Sequence, residues 1–185
     1  NNAVISGSQA NQVAMADNFS YVSAVTYNNM VNNGTVSLSG DGSVAMYANN
    51  GNITNAATIS AAGKESFGIY GENGTVTINT GTITVGDQGI GIYGVSHQDP
   101  ANPGANGGGL ISITNSGNIT GTGGSGTIGI YSNTNRTGGT KGDAVITLNG
   151  GTINLGNVTE AIGVYVNKGT VNDTGSTITV GKNGV

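Results

Sequence analysis

The sequence predicts an all-β chain wound as a right-handed parallel β-helix, a three-strand solenoid of about six or seven coils of ~23 residues each. The first sign is a phrase of the form aliphatic–small–aliphatic–Tyr that returns five times. It reads Val44-Ala45-Met46-Tyr47, Phe67-Gly68-Ile69-Tyr70, Ile90-Gly91-Ile92-Tyr93, Ile128-Gly129-Ile130-Tyr131 and Ile162-Gly163-Val164-Tyr165, and a sixth copy, Val13-Ala14-Met15-Ala16, ends in Ala. The first three of these tyrosines stand 23 residues apart and the next intervals are 38 and 34, so a fixed period is stretched by insertions. The second sign is polar–apolar–polar alternation at a constant place in every repeat. The third is composition: 35 of 185 residues are Gly, two are Pro and 8% are charged, against about 25% charged in ordinary globular domains. Regularly placed Val, Ile and Thr separate this chain from a disordered low-charge segment.

The middle strand is read from an inward aliphatic anchor at Ile5, Val36, Ile59, Ile83, Ile119, Ile153 and Ile178. From the second copy onward Thr35, Thr58, Thr82, Asn118, Thr152 and Thr177 precede it, and Ser37, Ser60, Thr84, Thr120, Asn154 and Thr179 follow it. That is the period-2 pattern of a strand with one buried face, and branched Thr suits the outward pleat.

Four residues before the anchor stand Asn32, Asn55, Asn79, Asn115, Asn149 and finally Thr174, and two before it a small residue, usually Gly. This predicts a corner, where Asn tolerates left-handed backbone angles and its amide can bond to the amide of the next rung, an Asn ladder. A first strand precedes that corner, as in Thr75-Val76-Thr77-Ile78 and Val145-Ile146-Thr147-Leu148. The repeated phrase is the third strand. By alternation its first and third residues fill the core, while its small residue and its Tyr face outward, a Tyr column beside a trough of Gly91, Gly129 and Gly163. Handedness is not read directly from the residues, but coils longer than the ~18-residue hexapeptide type favour the right-handed class. Residues 1–185 read as a single segment, with six or seven rungs at ~4.8 Å giving roughly 30 Å of rod.

Insertions at about 17–25, 96–108 and 132–142 all leave at the corner between the third strand and the next first strand. Loops collected on one face of a solenoid are candidates for contact, although a tolerant corner also collects them by drift. They carry the chain's one His and one Arg, His97 and Arg136, beside Asp99 and Lys141. With Tyr93, Tyr131 and Tyr165 these form the candidate strip for a ligand or partner. Aromatic groups flanked by hydrogen-bonding side chains suit a sugar or a protein surface. A column that merely packs under the loops and stiffens the corner is the alternative.

Several chemistries find no residues. There is no Cys, and one His without a spaced Ser and Asp makes no triad. Carboxylates are dispersed: Glu65, Glu72 and Glu160 fall at no common repeat position, which leaves a polysaccharide hydrolase or lyase without its paired acids. No metal-ligand cluster and no calcium nonapeptide occur, so no catalytic residue, cofactor or metal is assigned. A net charge of −4 with five basic residues leaves no basic stripe for nucleic acid or anionic lipid. The Thr-x-Ser, Thr-x-Thr and Thr-x-Asn column resembles the regular face of β-solenoid ice binders, interrupted by Ser and Asn. No apolar run approaches the ~20 residues of a membrane-spanning helix. A chain that opens at Asn1 without a leader pattern reads as a mature or excised segment.

From Val31 to Val185, and more weakly before it, the repeats resemble the passenger domains of type V (classical) autotransporter adhesins of Gram-negative bacteria. The likeness to very long fusobacterial ones lies in phrases such as Gly81-Thr82-Ile83-Thr84-Val85-Gly86-Asp87-Gln88-Gly89-Ile90-Gly91-Ile92-Tyr93-Gly94. The resemblance implies a virulence-associated passenger displayed on the bacterial cell surface and held at the outer membrane through a C-terminal β-barrel outside this sequence. It implies adhesion to a host or bacterial surface protein or glycan, or to another copy of the rod in cell aggregation. It implies no enzyme and lends no catalytic residue.

Overall fold

The computed structural model describes residues 1–18, 29–97, 110–134 and 143–185. The fold is a right-handed parallel β-helix, and every strand in it pairs in parallel with the equivalent strand one coil away. Sheet A stacks seven strands, from Val4–Gly7 through Thr82–Val85 to Thr177–Val180. Sheet B stacks six, from Val13–Asn18 through Ile90–Ser96 to Ile162–Val166. Sheet C stacks six, from Asn29–Asn32 through Val76–Asn79 to Gly169–Asp173. The predicted middle, third and first strands are sheets A, B and C.

In sheet A the anchors Val36, Ile59, Ile83, Ile119 and Ile153 are completely buried, and Thr82 aligns with Thr58 and Asn118 on the outside. The core is one column of aliphatic layers, with Met46, Ile69, Ile92 and Ile130 from sheet B and Ile53, Ile113 and Ile146 from sheet C.

At the corner between sheets C and A the amide ladder forms. Asn1 Nδ2 donates to Asn32 Oδ1 (3.0 Å), Asn32 to Asn55 (2.8 Å), Asn55 to Asn79 (2.9 Å) and Asn79 to Asn115 (2.7 Å). These asparagines, from Asn32 on, are buried. The ladder stops there. Leu148, not Asn149, aligns with Asn115, and Asn149 lies exposed one residue farther on, with Thr174 donating to its Oδ1. The corner holds one residue more in that coil, Gly150 at φ +73°, so equal spacing in sequence gives a different register.

Asn32, Asn55, Asn79 and Asn115 are not among the residues with left-handed backbone. Such backbone forms a column at the corner between sheets A and B: Asn11, Gly42, Glu65, Gln88, Gly126, Glu160 and Asn183, with φ between 54° and 68°. Each rung is tied to the next through the backbone, as where Gly42 N–H donates to Lys64 O and Glu65 N–H to Asp87 O. Glu65 and Glu160 therefore do share a position, three rungs or ~14 Å apart, too far to act as a carboxylate pair.

The phrase itself departs from simple alternation. The ladder skips its second residue: Ile90 aligns with Ile128 and Ile92 with Ile130, while no pairing joins Gly91 to Gly129. Gly91 and Ile92 both turn inward, and Ile90 turns outward. A Cβ on Gly91 would lie 2.6 Å from Ile119 Cγ2 and 2.5 Å from Gly129 O. The first aliphatic residue is thus not core and the glycines form no outer trough; Gly fits here because the sheet A anchor of the next coil fills the space.

All three stretches outside the described residues join sheet B to sheet C. Strands run into the expected loop boundaries, through Asn18, Ser96 and Thr134.

Candidate functional site

The outer face of sheet B carries two adjacent columns. One is the fourth residue of the phrase, Tyr47, Tyr70, Tyr93, Tyr131 and Tyr165, in register. The other is its first residue, Val44, Phe67, Ile90, Ile128 and Ile162, which the skip in the ladder brings outward.

The tyrosines form one continuous aromatic column with a change of geometry along it. Tyr47–Tyr70 and Tyr70–Tyr93 meet edge to face, at 5.5 and 4.8 Å between ring centroids. Phe67 leans on both Tyr70 and Tyr93, at 5.4 and 5.6 Å. Beyond it the rings stack, Tyr93 on Tyr131 at 5.3 Å and 25°, Tyr131 on Tyr165 at 4.9 Å and 13°. Both faces of Tyr131 are turned toward neighbours. A sugar that binds by lying on a ring face finds that face only at Tyr165, which is 40% exposed; the rest of the stack offers edges and hydroxyls.

The edge-to-face half holds a charged centre that sequence reading missed. Glu72 ends its strand in sheet B with its side chain mostly buried. Tyr47 Oη donates to its Oε2 at 3.1 Å, Tyr70 bonds to it as well, and His97 Nε2 lies 3.9 Å from its Oε1. Burial first, then the charge and hydrogen bond of Glu72, pushes the Tyr47 phenol up to about 12. Tyr70 is raised further, by burial and then by its bond to Glu72, and Tyr93 is raised chiefly by burial. These phenols remain neutral donors at physiological pH. The signal in the sequence was position: Glu72 lies two residues past Tyr70 on the same outer face of the strand.

The structure divides the predicted strip. Tyr93, Tyr131 and Tyr165 are brought together. His97 is on the same face, but its backbone N–H bonds to Asn73 Oδ1 at 3.0 Å and its ring approaches Glu72, toward the Tyr47 end. Asp99, Arg136 and Lys141 lie outside the described residues. Among the described residues no three His, Asp or Glu side chains gather as metal ligands.

Comparison with protein-family models, with curated proteins and with solved structures finds no match to this chain.

Proposed function

We propose that this chain is a structural and adhesive section of a bacterial surface passenger protein, attaching the cell to host cells or to other bacteria. The observation that carries the reading is the aromatic column: five in-register tyrosines, flanked by aliphatic side chains, lie on the outer face of a rigid stack. Partly exposed apolar strips of this length suit a partner more than they suit solvent. The likeness of the repeats to autotransporter passengers supplies the setting, display beyond the outer membrane. Because the ring faces of Tyr131 are engaged by its neighbours, a protein surface suits the stacked half better than a glycan does.

The test is a bead-binding assay with the chain as it stands, against bacterial and cultured host cells. Adhesion should fall to background for the pair Tyr131→Ala and Tyr165→Ala and should persist in free sugars. Background binding by the unaltered chain would leave only a spacer role. A second reading, rods that associate side by side, rests on the exposed Thr58, Asn118, Asn154, Thr177 and Thr179 of sheet A; concentration-dependent sedimentation tests it.

A further inference from the structure

Sheet C contains a strand whose inside and outside residues are exchanged. Its neighbours place an aliphatic residue inward and Thr outward: Ile53 and Thr54, Ile113 and Thr114, Ile146 and Thr147. In Val76–Asn79 the register aligns Thr77 with Ile53 and Ile113, and Ile78 with Thr54 and Thr114. Thr77 is accordingly 2% exposed, while Val76 and Ile78 are 37% and 38% exposed.

This register is held at both ends by buried polar groups. Thr75 Oγ1 donates to Glu72 O and Ala48 O, and the Asn79 amide bonds to Asn55 and Asn115. The chain shows elsewhere how to turn such an aliphatic residue inward. At Leu148 one additional corner residue does it, with Gly150 at φ +73°. Thr80 stands where that glycine would be needed, and a β-branched residue resists positive φ. The sequence therefore fixes Val76 and Ile78 outward, against the hydrophobic preference, and such local conflicts collect at functional sites.

The two side chains lie in a groove of about 630 Å³ with Val31, Leu110, Asn52 and Asn29, within the roughly 300–1,000 Å³ of small-molecule sites. Its rim holds two linked amides, Asn52 Nδ2 donating to Asn29 Oδ1 at 2.8 Å. Among the described residues that line it none is ionisable, in a chain of net charge −4. A charged ligand would lose hydration there with no opposite charge among these residues to offset it. We infer that this groove is a binding site for an uncharged, mostly apolar small molecule with a hydrogen-bonding group directed at Asn29 and Asn52.

The neutral dye Nile red is the probe, titrated against the full chain by fluorescence. Saturable binding at about one dye per chain is expected, weakened about tenfold or more by the pair Val76→Thr and Ile78→Thr. Those changes should leave the melting temperature within about 2 °C. No saturable binding, or equal binding by the variant, overturns the inference. So does a marked loss of stability in the variant, which would mean that the chain itself fills the groove. Tyr131→Ala should leave dye binding unchanged, separating this groove from the adhesive strip.

Discussion

Asn79 and Asn115 are joined by the shortest bond of the amide ladder, 2.7 Å, although 36 residues separate them where 23 and 24 separate the rungs before. The insertion in that coil leaves the rung in place. The corner between sheets C and A is thus set by what stacks in it rather than by how much chain leaves at the opposite corner.

Asn79→Ala removes the central rung, taking the acceptor from one Nδ2 hydrogen of Asn55, whose amide nitrogen keeps Ala57 O, and the Asn79 donor from Asn115 Oδ1. Each such loss costs about 1–3 kcal/mol, so a loss of about 2–4 kcal/mol is expected in urea unfolding. Asn149→Ala, at the same sequence spacing but exposed, should change stability by no more than about 0.5 kcal/mol. Equal effects would mean that the ladder continues through Asn149.

Gln88 and Glu65 hold left-handed backbone, φ 54° and 56°, in a column where Gly42 and Gly126 also stand. The left-handed penalty for a residue with a Cβ is about 1–2 kcal/mol, against about 0.5–1 kcal/mol of added chain entropy for glycine. Gln88→Gly should therefore leave thermal stability unchanged or raise it by up to about 1 kcal/mol, where a glycine in a strand would lower it. A clear fall in melting temperature would contradict the assigned backbone.

The raised phenols give the fold an alkaline limit. Tyr47 ionises at about 12 in the fold against 10.0 ordinarily, so the fold favours its neutral form. That contribution is whole below pH 10.0 and is lost as pH climbs toward about 12. Phenolate absorbance should show Tyr47 titrating late, with stability falling across that interval. Glu72→Gln should bring the Tyr47 value down only part of the way, since burial is the larger cause.

Tyr131 packs on two rings. Tyr131→Ala gives up both pairs, each worth about 0.5–1.5 kcal/mol beyond its area, and should destabilise by roughly 1–3 kcal/mol. Tyr131→Phe keeps the stack and should match the parent chain in chemical denaturation. A Phe variant as weak as the Ala variant would show that the hydroxyl, not the ring, carries the contact.

The sheet A anchors were legible because each reports the same environment at every coil: a branched aliphatic between two polar outward residues. Asn32 to Asn115 were legible for the same reason. Legibility failed where backbone rather than side-chain type decides the facing. Ile78-Asn79 and Leu148-Asn149 read alike, yet Asn79 and Leu148 are the inward members, because Thr80 cannot take the conformation that Gly150 takes. The phrase misled in a related way: a skipped pairing at Gly91 moves Ile90 outward, and no period-2 count contains a skip. Glu72 was passed over because it recurs in no other coil; its role arises from neighbours one rung to either side.

The pairing of each coil with the next has a mechanical meaning. All ladder hydrogen bonds run along the stacking direction, so tension along the rod opens them as a zipper, a few at a time, while a sideways load is shared among three sheets. The turn from Tyr70 to Tyr93 would give up one ~4.8 Å rung and release 23 residues, about 75–80 Å of slack. The turn from Tyr93 to Tyr131 holds 38 residues, about 125–135 Å. Under strain the rod is a brake with unequal stages, and the insertions set how far each stage pays out.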